Sequence, residues 1–374
     1  MYCRYAVVYW QYNIFGGIDM EKAFLPGGAA HIQNLIDQAV ENGSRTATVT
    51  GNWEVASEVR IPGDFTLILD GCHLRQADDC YTNIFVNWHH DTELGRTTAG
   101  TDKNITITGK NGALLDGGKF NGLHEKNQFK EGRPGVWKNN MILFTNVDGF
   151  HISGFSCYDQ RWWALNFIYC ANGHIHDLHF KGCDIGIDEN GNLYHGLKRG
   201  HYNDILIKNA DGVDIRQGCH HILIENLTGF VEDDCVACTA LDGKMEKLYK
   251  VDGLPSDLCH ITIRNLRTAS YFSNVRLLNQ GELALHHIEI DGVWDMSAEC
   301  PHLDRGYHGV RIGDTLMYGP RHATAEETYN ITVRNVRSRA KFGAIGLAGN
   351  MKDLVLENIE AFDGAPEMLD QRES

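Results

Sequence analysis

The stretch NADGVDIRQGCHHILIENLTGFVEDDCVACT, residues 209–239, concentrates the residues best suited to chemistry. Asp211 stands 22 residues before Asp233, and Asp234 follows directly. A β-like run, HHILIEN, lies between them. In a chain that stacks short strands in coils, residues one coil apart become neighbours, so the three carboxylates would share one surface. Like charges held that close cannot all ionise freely, and at least one should keep its proton above the ordinary range. One carboxyl that gives a proton and another that activates water can together cleave a glycosidic bond. Asp-Gly alone usually marks a turn. Glu232-Asp233-Asp234, however, runs straight into the apolar CVACT, and three adjacent repelling acids gain a fold nothing.

The elements that would position these acids repeat. An apolar–x–apolar run followed by x-Asn or x-Gly recurs as NITITGKNG (104–112), FHISGF (150–155), HIHDLHF (174–180), ILIKNADG (205–212), ILIENL (222–227), ITIRNL (261–266), HIEIDGV (287–293), ITVRNV (331–336) and LVLENI (354–359). Ile152 to Ile175 is 23 residues, and so is Ile331 to Leu354. The longer steps, Ile222 to Ile261 and Ile288 to Ile331, read as one coil plus an inserted loop. A period in the low twenties is one turn of a solenoid whose turns must stack to bury their inward faces. The strict Leu/Asn consensus of leucine-rich repeats is absent, and a β-sandwich has no fixed period. The pattern predicts an all-β chain, a single-stranded right-handed parallel β-helix, with coils over about 104–360 and one domain across 1–374. Ile32, Leu35, Ile36, Ala39 and Val40 fall at helical spacing, and Asn42-Gly43 is a stop, so residues 31–43 should form a short helix capping the N-terminal end. The recurrent Asn after each strand should stack as an internal ladder at the bend. The non-repeating pieces 113–140, 184–203, 240–258, 295–309 and 314–328 read as loops walling a cleft.

Composition narrows the function classes. Of 374 residues, 43% are hydrophobic and 22% charged, as in globular proteins, and the net charge is −15. That acidity argues against nucleic acid and anionic membranes as partners. No run of 18 apolar residues marks a transmembrane helix. Eleven Cys cannot all pair within one chain, and MYCRYAVVYWQYN lacks the layout of a signal peptide, so a reducing cytoplasm is the expected location.

NADGVDI followed by EDDCVAC resembles the paired Asn-Thr-Asp-Gly and Asp-Asp-Cys signatures of the polygalacturonases, glycoside hydrolase family 28. QRWWALNFIYCANGHIHDLHF (160–180) is similar to the Trp-containing coil before the signatures, QGCHHILIEN matches the run between them, and helix 31–43 sits where such proteins have their N-terminal cap. The resemblance implies a pectin-lyase-like β-helix and an inverting hydrolysis of a pectin-related glycan, without cofactor or metal. It implies Asp233 as general acid and Asp211 and Asp234 as the pair that holds and deprotonates the attacking water. Asn209 would orient its neighbours or the substrate. The chain departs from the family twice. Phe272-Ser273-Asn274 stands where a Gly-His-Gly segment belongs, and GVRIGD keeps Arg311 but has Gly313 in place of a Lys. These family residues help hold a uronate carboxylate. Arg311, Ser273 and Arg276, which could supply a compensating charge, are therefore candidate substrate contacts.

Trp163, beside Trp162, could offer a stacking face to a sugar ring, although such aromatics are often core. His174 and His176 share one face of a strand but lack a third ligand, so no metal is expected there. Cys157, Cys170 and Cys183 stand at equal 13-residue spacing without a second Cys-x-x-Cys. Cys235 and Cys238 form a Cys-x-x-Cys, but Cys235, following the Asp pair in a strand, reads as a buried small hydrophobe and not a zinc ligand. Two rival functions fit the scaffold: a polysaccharide lyase or uronate epimerase, and a carbohydrate-binding β-helix without catalysis.

Overall fold

The computed structural model describes residues 23–372 apart from 79, 119–122, 125–137, 161, 183–184, 188–192, 196–205, 208–210, 301–302 and 320. The chain forms the expected parallel β-helix. A ten-stranded parallel sheet runs from Val59–Ile61 through Trp163–Ile168, Asp211–Arg216, Val236–Ala240, Ser273–Asn279 and His308–Ile312 to Met368–Arg372. A sixteen-stranded sheet supplies the other walls and merges where long strands such as Leu258–Ser270 bend round the coil.

The repeat explains the register. Ile152 pairs with Ile175, Ile222 with Ile261, Ile288 with Ile331, and Ile331 with Leu354. One inward column runs Leu67, Ile107, Ile152, Ile175, Ile224, Ile263, Ile290, Val333, all fully buried. A second runs Leu165, Val213, Val236, Val275, Val310, Ile345. Each such side chain contributes roughly 1.5–3 kcal/mol by leaving water. β-branched residues suit the pleated, parallel stack.

Among the described residues, one expected coil is absent. Ile175 pairs with Ile224, and the strand Leu206–Ile207 instead pairs antiparallel with Ile187 and with Leu123–His124 in a small four-stranded sheet. An apolar run of that length looks the same in either sheet. Of the expected loops, 113–140 and 184–203 fall mostly outside the described residues, but Leu114–Asp116 is a coil strand in register with Ser156–Tyr158.

The capping helix runs Gly28–Glu41, three residues earlier at its start than its apolar spacing suggested. Gly27 turns into it at φ 79°, and a Cβ on Gly28 would sit 2.7 Å from the Glu54 carbonyl oxygen. Ile32, Ile36 and Ala39 are buried over the first coil, and Gln33 Oε1 accepts the Arg60 amide at 2.9 Å.

The bends use left-handed residues. Gly154, Asp177, Asn226, Asn265, Gly292, Asn335 and Asn358 have positive φ and follow one another in register, a conformation Asn, Asp and Gly tolerate best. Their amides form an exposed ladder, not the internal one expected: Asn226 Nδ2 donates to Asp177 at 3.0 Å and Asn358 Nδ2 to Asn335 at 3.0 Å. The left-handed turn points these side chains outward.

Candidate active site

Asp211 opens the strand Asp211–Arg216, and the Asp211-Gly212 pair is strand, not turn. Its amide donates to the Trp162 carbonyl at 2.9 Å, and the Gly212 amide donates to the Asp234 carbonyl at 3.0 Å. A Cβ on Gly212 would lie 2.6 Å from the Cys235 carbonyl oxygen, so glycine is what lets the coils approach here. Asp211 Oδ1 in turn accepts the Asp234 amide at 2.9 Å. The Ser270 hydroxyl donates to the Asp233 carbonyl. One carboxylate oxygen from each of Asp211, Asp233 and Asp234 lies within 4.8 Å of the others. The 23-residue step from Asp211 to Asp234 equals one coil.

Asp211 is buried, and Asp233 and Asp234 are half-buried. Burial pushes Asp234 well above the ordinary carboxylate range, and the Asp233 and Asp211 charges push it further. Arg276 and the Ser273 hydroxyl pull the other way. Asp234 Oδ1 is buried without a hydrogen-bond partner among the described residues. Burial and its two acidic neighbours thus favour the neutral form of Asp234. Three carboxyls this close exchange protons as one cluster, and any of them can deliver one to a substrate.

Two arginines stand beside the acids. Arg276 and Arg311 are register partners on neighbouring coils. Arg276 is 5% exposed, with Nη2 3.7 Å from Asp314 Oδ1. Arg311 is half-buried, with Nη2 3.5 Å from Thr315 Oγ1. Burial and the Arg276 charge lower Arg311 to about 10, while Asp234 and Asp314 hold it up, so it stays protonated at pH 7.

The remaining sequence candidates divide. Asn209 lies outside the described residues. Trp163 offers no face to a sugar: it is 2% exposed, with Arg216 over its ring at 4.1 Å. Arg216 also binds Asp214 at 2.9 Å and Glu246 at 3.0 Å, a buried network that anchors the far end of the Asp211 strand. Ser273 is 2% exposed and reaches Asp234, so it braces an acid from below and is not open to substrate. Cys235 and Cys238 are buried in the core. Gly313 has a physical reason. It sits at φ 86°, and a Cβ there would lie 1.8 Å from the Ala348 carbonyl oxygen, so no lysine fits.

Sequence reading missed His308. It is the register partner of Ser273 one coil on, and it lies near the Arg276–Arg311 pair, whose charges act on it. A Cβ on Gly346 would come 2.7 Å from its ring, so that glycine makes its space. Burial, then Arg311 and Arg276, lower His308 to about 3, and its Nδ1 is buried without a partner among the described residues. At neutral pH it is an uncharged imidazole, one coil beyond Ser273 and two beyond Asp234. The signal is its place in HGVRI, three residues before Arg311; the loop expected over 295–309 gives way to strand at His308.

Comparison with known proteins agrees with this fold. The chain resembles a tailspike protein mutant of E. coli bacteriophage HK620 in complex with a pentasaccharide, with TM-score 0.56 and 12% identity, over 92% of this chain. The chain spans only 61% of the tailspike's length. It also resembles a hyperthermoactive exopolygalacturonase from Thermotoga maritima, with TM-score 0.50 and 12% identity, over 88% of this chain and 82% of that one. At such identities these likenesses speak for the fold. No curated protein matches the sequence. The model of the Glycosyl hydrolases family 28 matches residues 53–251, over half the chain and including all three aspartates. With the acids stacked on adjacent coils of a parallel β-helix, the chain belongs to glycosyl hydrolases family 28.

Proposed function

We propose that this protein hydrolyses a glycosidic bond in a pectin-related oligo- or polysaccharide, with inversion, using Asp211, Asp233 and Asp234. The convergence of the three carboxylates, with Asp234 pushed toward its neutral form beside two arginines, carries the reading. In the reaction, Asp233 passes the cluster's proton to the glycosidic oxygen as that bond breaks. Asp211 and Asp234 hold a water whose oxygen bonds to the anomeric carbon and whose proton returns to the cluster. The nearest oxygens, within 4.8 Å, are closer than the roughly 6.5–9.5 Å common between the two carboxyls of inverting enzymes. The water would rest on the Asp211–Asp234 pair, which the Asp234 amide already ties together. Arg311, with Arg276 behind it, favours an anionic sugar such as a uronate in a protein whose net charge is −15. The saccharide-bound tailspike and the exopolygalacturonase support a carbohydrate substrate.

Incubation with a panel of pectic oligosaccharides, followed by NMR, tests the proposal. A new reducing end, first seen with inverted anomeric configuration, is expected. Retained configuration would refute the water-holding roles. An unsaturated, UV-absorbing product would replace hydrolysis by elimination, and glycan binding without cleavage would leave a carbohydrate-binding scaffold.

A further inference from the structure

A second convergence of side chains lies on the sixteen-stranded sheet, away from the strands that carry the acids. His151, in the strand Val147–Ser153, is the register partner of His174 in Ala171–His176, and His176 follows two residues on, on the same face. The ring centroids are 5.6 Å apart for His151–His174, 4.8 Å for His151–His176 and 4.2 Å for His174–His176. One ring nitrogen from each lies within 4.8 Å of the others. His151 and His176 face each other Nε2 to Nε2 at 2.6 Å. Two imidazole nitrogens at that distance need a proton or another cation between them.

The opposite ring nitrogens are held by carboxylates. His176 Nδ1 meets Asp177 Oδ2 at 2.7 Å, and His174 Nε2 meets Glu225 Oε1 at 2.8 Å. Glu225 is itself fixed by Arg264 Nε at 2.6 Å. Metal-binding histidines commonly give one ring N–H to a carboxylate, which sets the tautomer and turns the other nitrogen's lone pair to the ion. Here that leaves Nε2 of His176 and Nδ1 of His174 as the lone-pair nitrogens. The sequence offered only His174 and His176. His151, from the previous coil, supplies the third ligand they lacked.

We propose that His151, His174 and His176 form a binding site for a borderline transition-metal dication, Zn2+ foremost, with water as fourth ligand. Tetrahedral Zn2+ with bonds of about 2.0–2.1 Å spaces its ligand nitrogens about 3.3–3.4 Å apart. The His151–His176 pair opens by under about 1 Å to reach this, and the wider separations close. Imidazole ligands suit Zn2+, Cu2+ and Ni2+ and not Mg2+ or Ca2+. The neighbouring column His221, His260, His287 is a built-in control. Its ring centroids lie 4.6 and 4.7 Å apart, yet among the described residues its nitrogens do not converge.

Calorimetric titration of the chelator-treated full chain with ZnCl2, repeated with NiCl2, tests the site. The wild type should take up one dication more than the His151→Gln, His176→Gln double variant. Asp177→Asn and Glu225→Gln should weaken that binding about 10–100-fold, and His260→Gln should leave it unchanged. Far-UV circular dichroism confirms that each variant keeps the fold; should the double variant lose it, single His151→Gln carries the comparison. Equal uptake by wild type and double variant, as cysteine-bound zinc would give, overturns the proposal, and so does no uptake by the wild type. None of these readouts depends on glycan cleavage.

Discussion

Replacing Asp234 by Asn should make the protein more stable at neutral pH while removing its activity. Asp234 is held above the ordinary carboxylate range first by burial, then by the Asp233 and Asp211 charges. An unfolded chain releases this proton near 3.8, and the folded chain releases it only at higher pH. Between those two values the folded state binds one proton more than the unfolded state, so stability falls as pH rises, by about 1.4 kcal/mol per pH unit. Above the folded value the whole cost remains. Asn has no such proton, keeps an amide oxygen for the Ser273 hydroxyl, and carries no charge against Asp233. The variant's advantage should therefore grow with pH across that window and then level off. At about 2.1 cal/mol/K per residue, the entropy of unfolding the whole chain is about 0.8 kcal/mol/K, so each pH unit should separate the two Tm values by about 1–2 °C. His90 and His308, both lowered to about 3 chiefly by burial, slope the opposite way between about 3 and 6.5, but they are common to both proteins and cancel in the difference. Scanning calorimetry at half-unit steps from pH 4 to 9 measures it. A variant that melts parallel to wild type at every pH, or below it at pH 7, would refute the electrostatic account of this cluster.

Three other outcomes follow from the site. Asp233→Asn should lower kcat about 10²–10⁴-fold, the usual worth of a general acid, with little change in far-UV circular dichroism; retained turnover removes Asp233 from the chemistry. Arg311→Gln should raise KM for uronate oligosaccharides while affecting neutral ones much less; equal effects would mean that Arg311 does not meet the carboxylate. Gly313→Lys should destabilise by at least about 1–2 kcal/mol from the left-handed backbone alone, more with the clash against Ala348, so it should lower the urea midpoint without restoring a family-like affinity.

Much of the fold was legible because parallel coils impose a period. Ile152, Ile175, Ile331 and Leu354 announced the register directly. The three aspartates were legible for the same reason, since one coil separates Asp211 from Asp234. What escaped depended on direction, not spacing. Trp163 belongs to the same strand pattern whether it faces sugar or Arg216, and only the fold's packing decides. The run at Leu206–Ile207 has a coil's apolar rhythm but pairs antiparallel in another sheet. The asparagines were legible as a ladder, but their outward face follows from positive φ, which composition does not specify. His308 escaped because its partner Ser273 lies 35 residues away, with a long loop between them.

That last pairing bears on how such an enzyme can be altered. Adjacent strands of the stack stand about 4.8 Å apart, so a side chain removed from one coil has its nearest substitutes directly above and below, not along the chain. Ser273 stands where the family resemblance would put a histidine, and an imidazole stands one rung higher. A designer wishing to move a functional group across this surface can work by rungs, choosing the coil for height and the strand position for reach, while the inward columns stay untouched. Loops of any length can be spliced between rungs without changing who neighbours whom.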